Sequence, residues 1–297
     1  MGAMDTSLGQ VIRADVTDEN DQYFYAQVDG VTYEIDKQEL EKPLKVGGMV
    51  TGFAYQNEQH RLQITKTIPA VQKDQYAWGT VVNSRSDLGV FVNIGLANKD
   101  LVVSLDDLPT MKELWPKAGD RLLLSIKEDN KDRLWGKLAQ QDVIQAVSRQ
   151  ARLNAGVKKG EKIKATVYRN KLVGTLVLTE DYYLGFIHPS QREAEPRLGE
   201  VVTARVLGVN DRGIVNLSLK PLAYKLMDED AQFLLIQLQR KADHFLPFND
   251  KSDPEAIKKQ FGFSKSQFKR ALGRLYKERL IIQVDDGIQL TEAGMKD

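Results

Sequence analysis

One pattern occurs three times in this chain: a glycine, a long β-prone run, a polar turn, an arginine and a short closing run. The glycine and arginine are Gly48 and Arg61, then Gly119 and Arg133, then Gly199 and Arg212. Copies recur roughly every 70–80 residues, which suits one small β barrel per copy rather than a solenoid of shorter units. The stretch Gly79–Gly95 shows how such a barrel begins. Thr80–Val82 and Val90–Ile94 flank a polar turn holding Ser84, Arg85, Ser86 and Asp87, a hairpin signal. Phe91 and Asn93 stand two apart and share one face, while Val90, Val92 and Ile94 share the other. Gly89 enters the second run where a bend or close backbone approach needs a missing Cβ. An aliphatic inner face with an aromatic and an amide outside makes a platform on which a planar ring can stack.

The chain has 297 residues, enough for two to four domains, and is 42% hydrophobic, enough for packed cores. It contains no cysteine, which excludes disulfides, thiolate metal sites and cysteine nucleophiles. Its N-terminus lacks an apolar signal core, and no run approaches 18 apolar residues, so a cytoplasmic location without a membrane partner is expected. A net charge of +1 hides an uneven distribution. Residues 1–75 carry 7 Lys+Arg against 12 Asp+Glu, and residues 76–142 carry 9 against 10. Residues 143–222 carry 13 against 7, and residues 223–297 carry 13 against 12. Attraction for a polyanion therefore concentrates in the third quarter.

The turn signals divide the chain into barrels at 1–70, 71–142 and 157–222, a connecting helix at 143–156 and a final domain at 223–297. In the first barrel, Asp29-Gly30 is a strong hairpin signal between Tyr23–Val28 and Val31–Ile35. Met49–Tyr55 pairs with Arg61–Ile64. Tyr23, Phe24, Tyr25, Tyr33, Phe53 and Tyr55 suit either base stacking or core packing, and the acidic surplus favours packing. A polar connector is expected at 70–75, and a helix over 139–157 with apolar Val143, Ile144, Val147 and Leu153. In the third barrel, Ile163–Arg169 and Leu172–Leu178 are expected to pair across Asn170-Lys171.

From Asp228 the period changes to helical. Ala231, Leu234, Leu235 and Leu238 mark a first helix through Phe245. Ser252-Asp253-Pro254-Glu255 starts a second, stopped by Gly262, and Ser264 caps a third. Arg279–Val284 and Gly287–Thr291 form a hairpin across Asp285-Asp286. Helix, helix, turn, helix and β wing describe a winged-helix domain. On its third helix, Phe268, Leu272 and Leu275 form the buried stripe. Lys265, Lys269, Arg270, Arg274 and Lys277 lie mostly off it, where cations suit phosphate contact.

In the third barrel Tyr168, Arg169 and Lys171 sit at a strand end, Phe186 and His188 share a face, and Arg205 and Arg212 flank the last hairpin. Rings stack bases and cations hold phosphates. Catalysis finds no support: the three histidines, His60, His188 and His244, fall in different domains, and there is no glycine-rich phosphate loop. No enzyme, metal or cofactor is expected.

Leu184-Gly185-Phe186-Ile187-His188-Pro189-Ser190 and Gly79–Gly95 resemble the RNA-binding S1 domain, a five-stranded OB barrel. In Lys99-Asp100-Leu101-Val102-Val103-Ser104 the S1 glycine and histidine are missing, and Leu88 stands where S1 domains usually carry an aromatic. Three tandem S1-type OB barrels followed by an α/β winged helix, a mainly β multidomain chain, resemble the conserved virulence factor B (CvfB) family. That resemblance implies a cytoplasmic RNA-binding protein that regulates genes, including virulence genes, after transcription. The partner expected is single-stranded RNA, held by the third barrel and the winged helix, with the acidic first barrel facing another domain or a protein. Two other readings remain open here: a duplex-DNA regulator acting through the winged helix, and a scaffold for RNA-decay or translation machinery.

Overall fold

The computed structural model describes residues 7–129, 131, 133–153, 156–220 and 229–295. The start of the helix expected from Asp228 lies outside these. The chain divides into two units, Met1–Leu219 and Lys220–Asp297. Among the described residues the first unit holds three closed five-stranded barrels. The first is built from β1 (Gln10–Glu19), β2 (Tyr23–Val28), β3 (Val31–Asp36), β4 (Met49–Gln56) and β5 (Leu62–Thr65). The second uses β6 (Ala77–Arg85), β7 (Gly89–Asn93), β8 (Leu101–Ser104), β9 (Arg121–Glu128) and β10 (Leu134–Leu138). After α1 (Gln141–Val147), the third uses β11 (Lys162–Lys171), β12 (Gly174–Thr179), β13 (Leu184–Ile187), β14 (Val201–Val209) and β15 (Val215–Ser218). In each, the third and fifth strands run parallel and close the barrel.

Closure rests on one device used three times. The first strand of each barrel carries a bulge, between Val16 and Asp18, Val81 and Asn83, and Val167 and Arg169. The extra residue bends the strand so that its two halves pair with different neighbours. A glycine at positive φ holds the bend: Gly47, Gly119 and Gly199 each donate N–H to the bulge valine carbonyl at 2.8 Å. In the first barrel the equivalent glycine is thus Gly47, not Gly48. The polar turns before the fifth strands are closed by Asn57, Asp129 and Asn210, whose side-chain oxygens accept backbone N–H groups two and four residues on. By that register Arg61 and Arg133 correspond to Ile214, while Arg212 stands two residues earlier.

Further expectations need correction. The helix over 139–157 shrinks to α1, which buries Ile144 alone. Beyond it Arg149 donates to the Tyr182 carbonyl and Ala151 to that of Gly213, so tertiary hydrogen bonds outcompete the helix. The β11–β12 turn lies at Leu172-Val173, both exposed, because Asn170 spends its amide on Glu195 and the Pro196 carbonyl. The connector at 70–75 is not a free polar link. Val71 is buried, Lys73 donates to the Gly9 carbonyl and Ile126 to that of Gln72, stitching the first barrel to the second.

The second and third barrels are clamped by Arg197. Its Nε and Nη2 each lie 3.2 Å from a carboxylate oxygen of buried Asp120, and Asp120 also accepts the Lys117 N–H. Leu198 and Arg121 donate their backbone N–H to the Leu114 and Gly199 carbonyls, and the Trp78 indole donates to the Tyr182 hydroxyl at 3.2 Å.

In the second unit α2 (Glu229–Arg240), α3 (Pro254–Phe261) and α4 (Lys265–Lys277) pack on a sheet of β16 (Phe245–Leu246), β17 (Ile281–Val284) and β18 (Gly287–Leu290). The first helix therefore ends at Arg240 rather than Phe245, since Phe245 and Leu246 pair with β18. Asp253 caps α3, Gly262 ends it at φ 75°, and Ser264 with Gln267 forms a capping box on α4. Ala231, Leu234, Leu235, Leu238, Phe268, Leu272 and Leu275 are buried as their spacing requires. Among the described residues no helix is long and apolar enough to cross a membrane.

Arg197→Ala leaves the Asp120 carboxylate buried without its cation. It should cost about 2–4 kcal/mol in denaturant unfolding of the full chain and loosen the second barrel from the third.

Candidate nucleic-acid interface

Because the bulges fix register, the outer-face residues of the three barrels can be compared strand by strand. In the first, Asp18, Tyr25, Glu34 and Gln63 form one cross-strand row. In the second the row is Asn83, Phe91, Val102 and Trp135. In the third it is Arg169, Leu176, Phe186 and Asn216. One scaffold thus presents an acidic row, a neutral aromatic row and a row with an arginine and a central phenylalanine.

The third barrel keeps Phe186 and His188 on one face, half-buried and exposed, with ring centroids 6.4 Å apart. Gly174, at φ 148°, lies under Phe186; a Cβ there would come within 2.5 Å of its ring. His188 caps the short turn Pro189–Gln191, its Nδ1 accepting the Ser190 N–H at 3.2 Å. The same nitrogen lies 2.8 Å from Ser190 Oγ, so the ring is oriented by its own turn and its outer edge is exposed. Beneath the hairpin, Arg192 donates to Thr175 and pairs with Glu195 at 3.1 Å. Sequence reading missed this support, since the arginine lies 17 residues from its threonine.

The remaining third-barrel candidates divide. Lys162 stands directly opposite Arg205 in the register, so both lie on the β11–β14 side. Arg212 is exposed at the β14–β15 turn and Lys171 at the end of β11. Among the described residues these four cations have no carboxylate within ion-pair distance. Arg169 bonds the Gln140 side chain at 2.9 Å. Tyr168 is drawn into the crevice between the second and third barrels, beside Trp78, Arg121 and Ile144, where burial pushes its hydroxyl up.

In the second barrel Phe91 is half-buried on the outer face and Asn93 exposed, its amide donating to Asp100 at 3.2 Å. Arg85 is paired with Asp87 at 2.7 Å. Lys127 and Arg133 are paired as well, with Asp107 and Asp129. On α4, Lys269, Arg270 and Lys277 are exposed and Lys265 and Arg274 half-buried; Arg270 and Arg274 lie 3.8 Å from Asp230 and Glu278. Among the described residues no group of three histidine or carboxylate side chains is placed to hold a metal.

The first barrel's face is taken. Phe24, Tyr33, Phe53 and Tyr55 are buried, so these rings pack rather than stack. Asn98 of the second barrel reaches onto the row: its amide donates to Gln63 Oε1 at 2.9 Å, and the Tyr55 hydroxyl lies 2.8 Å from Asn98 Oδ1. Burial, chiefly, pushes the Tyr55 phenol from 10.0 up to about 12. The folded phenol stays neutral while an unfolded one ionises, so the junction loses stability as pH rises from 10 to about 12. Urea titrations across that window should show wild type losing about 2 kcal/mol more than Tyr55→Phe.

Comparison with known proteins agrees with this architecture. Residues 8–67 match the family described as S1 domain, and residues 76–137 the CvfB first S1-like domain. Residues 144–221 match the second domain of virulence regulatory factor CvfB, and residues 232–290 the CvfB-like winged helix domain. Conserved virulence factor B of Staphylococcus epidermidis is 37% identical over 275 residues, covering 92% of this chain and 90% of the relative. The Staphylococcus aureus protein of the same name is 38% identical over the same spans. A crystal structure of a multidomain protein with nucleic acid binding domains from Streptococcus pneumoniae is 45% identical, with a TM-score of 0.71, covering 97% of this chain and all of that one. With S1-type barrels and a winged helix in the same order, and relatives matched along nine-tenths of its length, this chain belongs to the conserved virulence factor B family.

Proposed function

We propose that this chain binds single-stranded RNA through the third barrel together with the winged helix, and regulates gene expression after transcription. The observation that carries this reading is the third barrel's outer face. Phe186 offers a ring over Gly174, His188 sets an exposed imidazole beside it, and among the described residues Lys162, Lys171, Arg205 and Arg212 of the same barrel have no carboxylate within ion-pair distance. Rings accept bases of any sequence, and free cations hold the phosphates between them. In the first two barrels Lys37, Arg61, Arg85, Lys127 and Arg133 are instead paired with neighbouring carboxylates. Lys265, Lys269 and Lys277 on α4 would add phosphate contacts, and Arg270 and Arg274 lose little by leaving partners 3.8 Å away. Nucleic-acid-binding domains in the pneumococcal relative, and the regulatory description of the family, are consistent with this role.

A salt-dependent titration against single-stranded RNA, single-stranded DNA and duplex DNA of equal length tests it. Wild type should prefer single-stranded RNA. Phe186→Ala with His188→Ala should weaken binding at least tenfold with little change in salt slope. Lys269→Ala with Arg270→Ala should flatten the slope by about 1.4 for two phosphate contacts. Preference for duplex, lost only with the second pair, would point to a DNA regulator instead. Absence of binding to all three would leave a protein scaffold.

A further inference from the structure

We propose that the second barrel carries its own base-binding slot, walled by Phe91 and Trp135 over Val102. The slot rests on the reading that this chain binds single-stranded nucleic acid. In the second barrel the histidine position of the S1 pattern is held by Ser104, and Val102 stands where the third barrel has Phe186. The aromatics have moved outward by one strand on either side. Phe91 on β7 and Trp135 on β10 both face Val102 on β8, one across an antiparallel ladder and one across a parallel ladder.

Strand spacing decides what such an arrangement holds. Neighbouring strands lie about 4.8 Å apart, so the two aromatic residues stand about 9–10 Å apart across the valine. A ring and a base prefer centroids about 4.5–7 Å apart, and two such contacts fit one planar base between the walls. Among the described residues Phe91 and Trp135 make no ring contact with each other, so neither fills the place of the base. All three residues are half-buried, with an apolar floor that favours the flat face of a base over water.

Trp135 is held for this position. Its indole N–H donates to Asp129 Oδ2 at 3.1 Å, and the Arg133 guanidinium lies 5.6 Å from its ring centre. Arg133 also bonds Asp129, at 2.8 Å through Nε, and holds that carboxyl well below the usual carboxylate range. The acceptor for the indole is therefore a carboxylate, and Arg133, tied to the same carboxylate, braces the ring. The first barrel has Glu34 and Gln63 where the second has Val102 and Trp135, with Asn98 closing over the glutamine. The slot is thus specific to the second barrel.

The full chain is titrated with a single-stranded oligouridylate and an oligoadenylate while tryptophan emission is followed. The slot predicts quenching in wild type that Trp135→Phe abolishes while affinity stays within about threefold, because phenylalanine still stacks. Trp135→Ala should weaken binding about tenfold. Val102→Glu, which keeps both walls and copies the first barrel's floor, should do the same, with cooperative unfolding retained in each variant. Wild type that binds while quenching survives in Trp135→Phe, or while Trp135→Ala and Val102→Glu bind normally, overturns the slot and leaves the third-barrel reading standing. Wild type that binds neither oligonucleotide overturns both.

Discussion

An extra residue in the first strand of each barrel sets everything that follows in the larger unit. Without the bulges at Val16, Val81 and Val167, a strand of nine or ten residues could not leave one neighbour and join another. The glycine N–H that closes each bend makes the device a three-point join between the first strand and the loop entering the fourth. A one-residue slip in a strand sends every side chain to the opposite face. The same bulge that closes a barrel therefore decides which side chains stand outside, and so what the barrel can touch.

Given a fixed scaffold, the barrels differ by substitution along one row. The first barrel places Asp18 and Glu34 there and lets Asn98 cover Gln63, which turns a ligand face into a joint. The second keeps rings at the flanks and the third at the centre. Charge pairing differs as well: Arg61 and Arg133 are tied to Glu34 and Asp129, while among the described residues Lys162, Arg205 and Arg212 of the third barrel have no carboxylate within ion-pair distance. The Arg197–Asp120 clamp holds the second and third barrels together, so a strand bound to one meets the other at a set distance. The unit is thus one joined support whose three outer rows differ in charge.

Features written in consecutive residues were legible in the sequence. Asp29-Gly30, the Ser264 cap, the Asp285-Asp286 turn and the stripe of Phe268, Leu272 and Leu275 depend only on local backbone chemistry or a helical period. That Phe186 and His188 share a face follows from strand alternation. Contacts between distant residues were not legible: Tyr55 meets Asn98 across 43 positions, and Arg197 meets Asp120 across 77. The row that sets Trp135 two strands from Phe91 was not legible either, although the alternation of Leu134, Trp135 and Gly136 already put Trp135 outside. The helix expected beyond Val147 failed for the same reason, since carbonyls of the third barrel supplied its hydrogen bonds. Asn170-Lys171 misled because asparagine usually turns a chain, whereas here its amide props the hairpin from below.

The most direct measurement is ultraviolet crosslinking of the full chain to single-stranded RNA, with the crosslinked peptides located by mass spectrometry. The account predicts adducts at Phe186 and His188 and in the winged helix α4, adducts at Phe91 and Trp135, and none within residues 8–67. Adducts concentrated on Tyr23, Tyr25 or neighbouring residues of the acidic first barrel, with the third barrel unmarked, would contradict it.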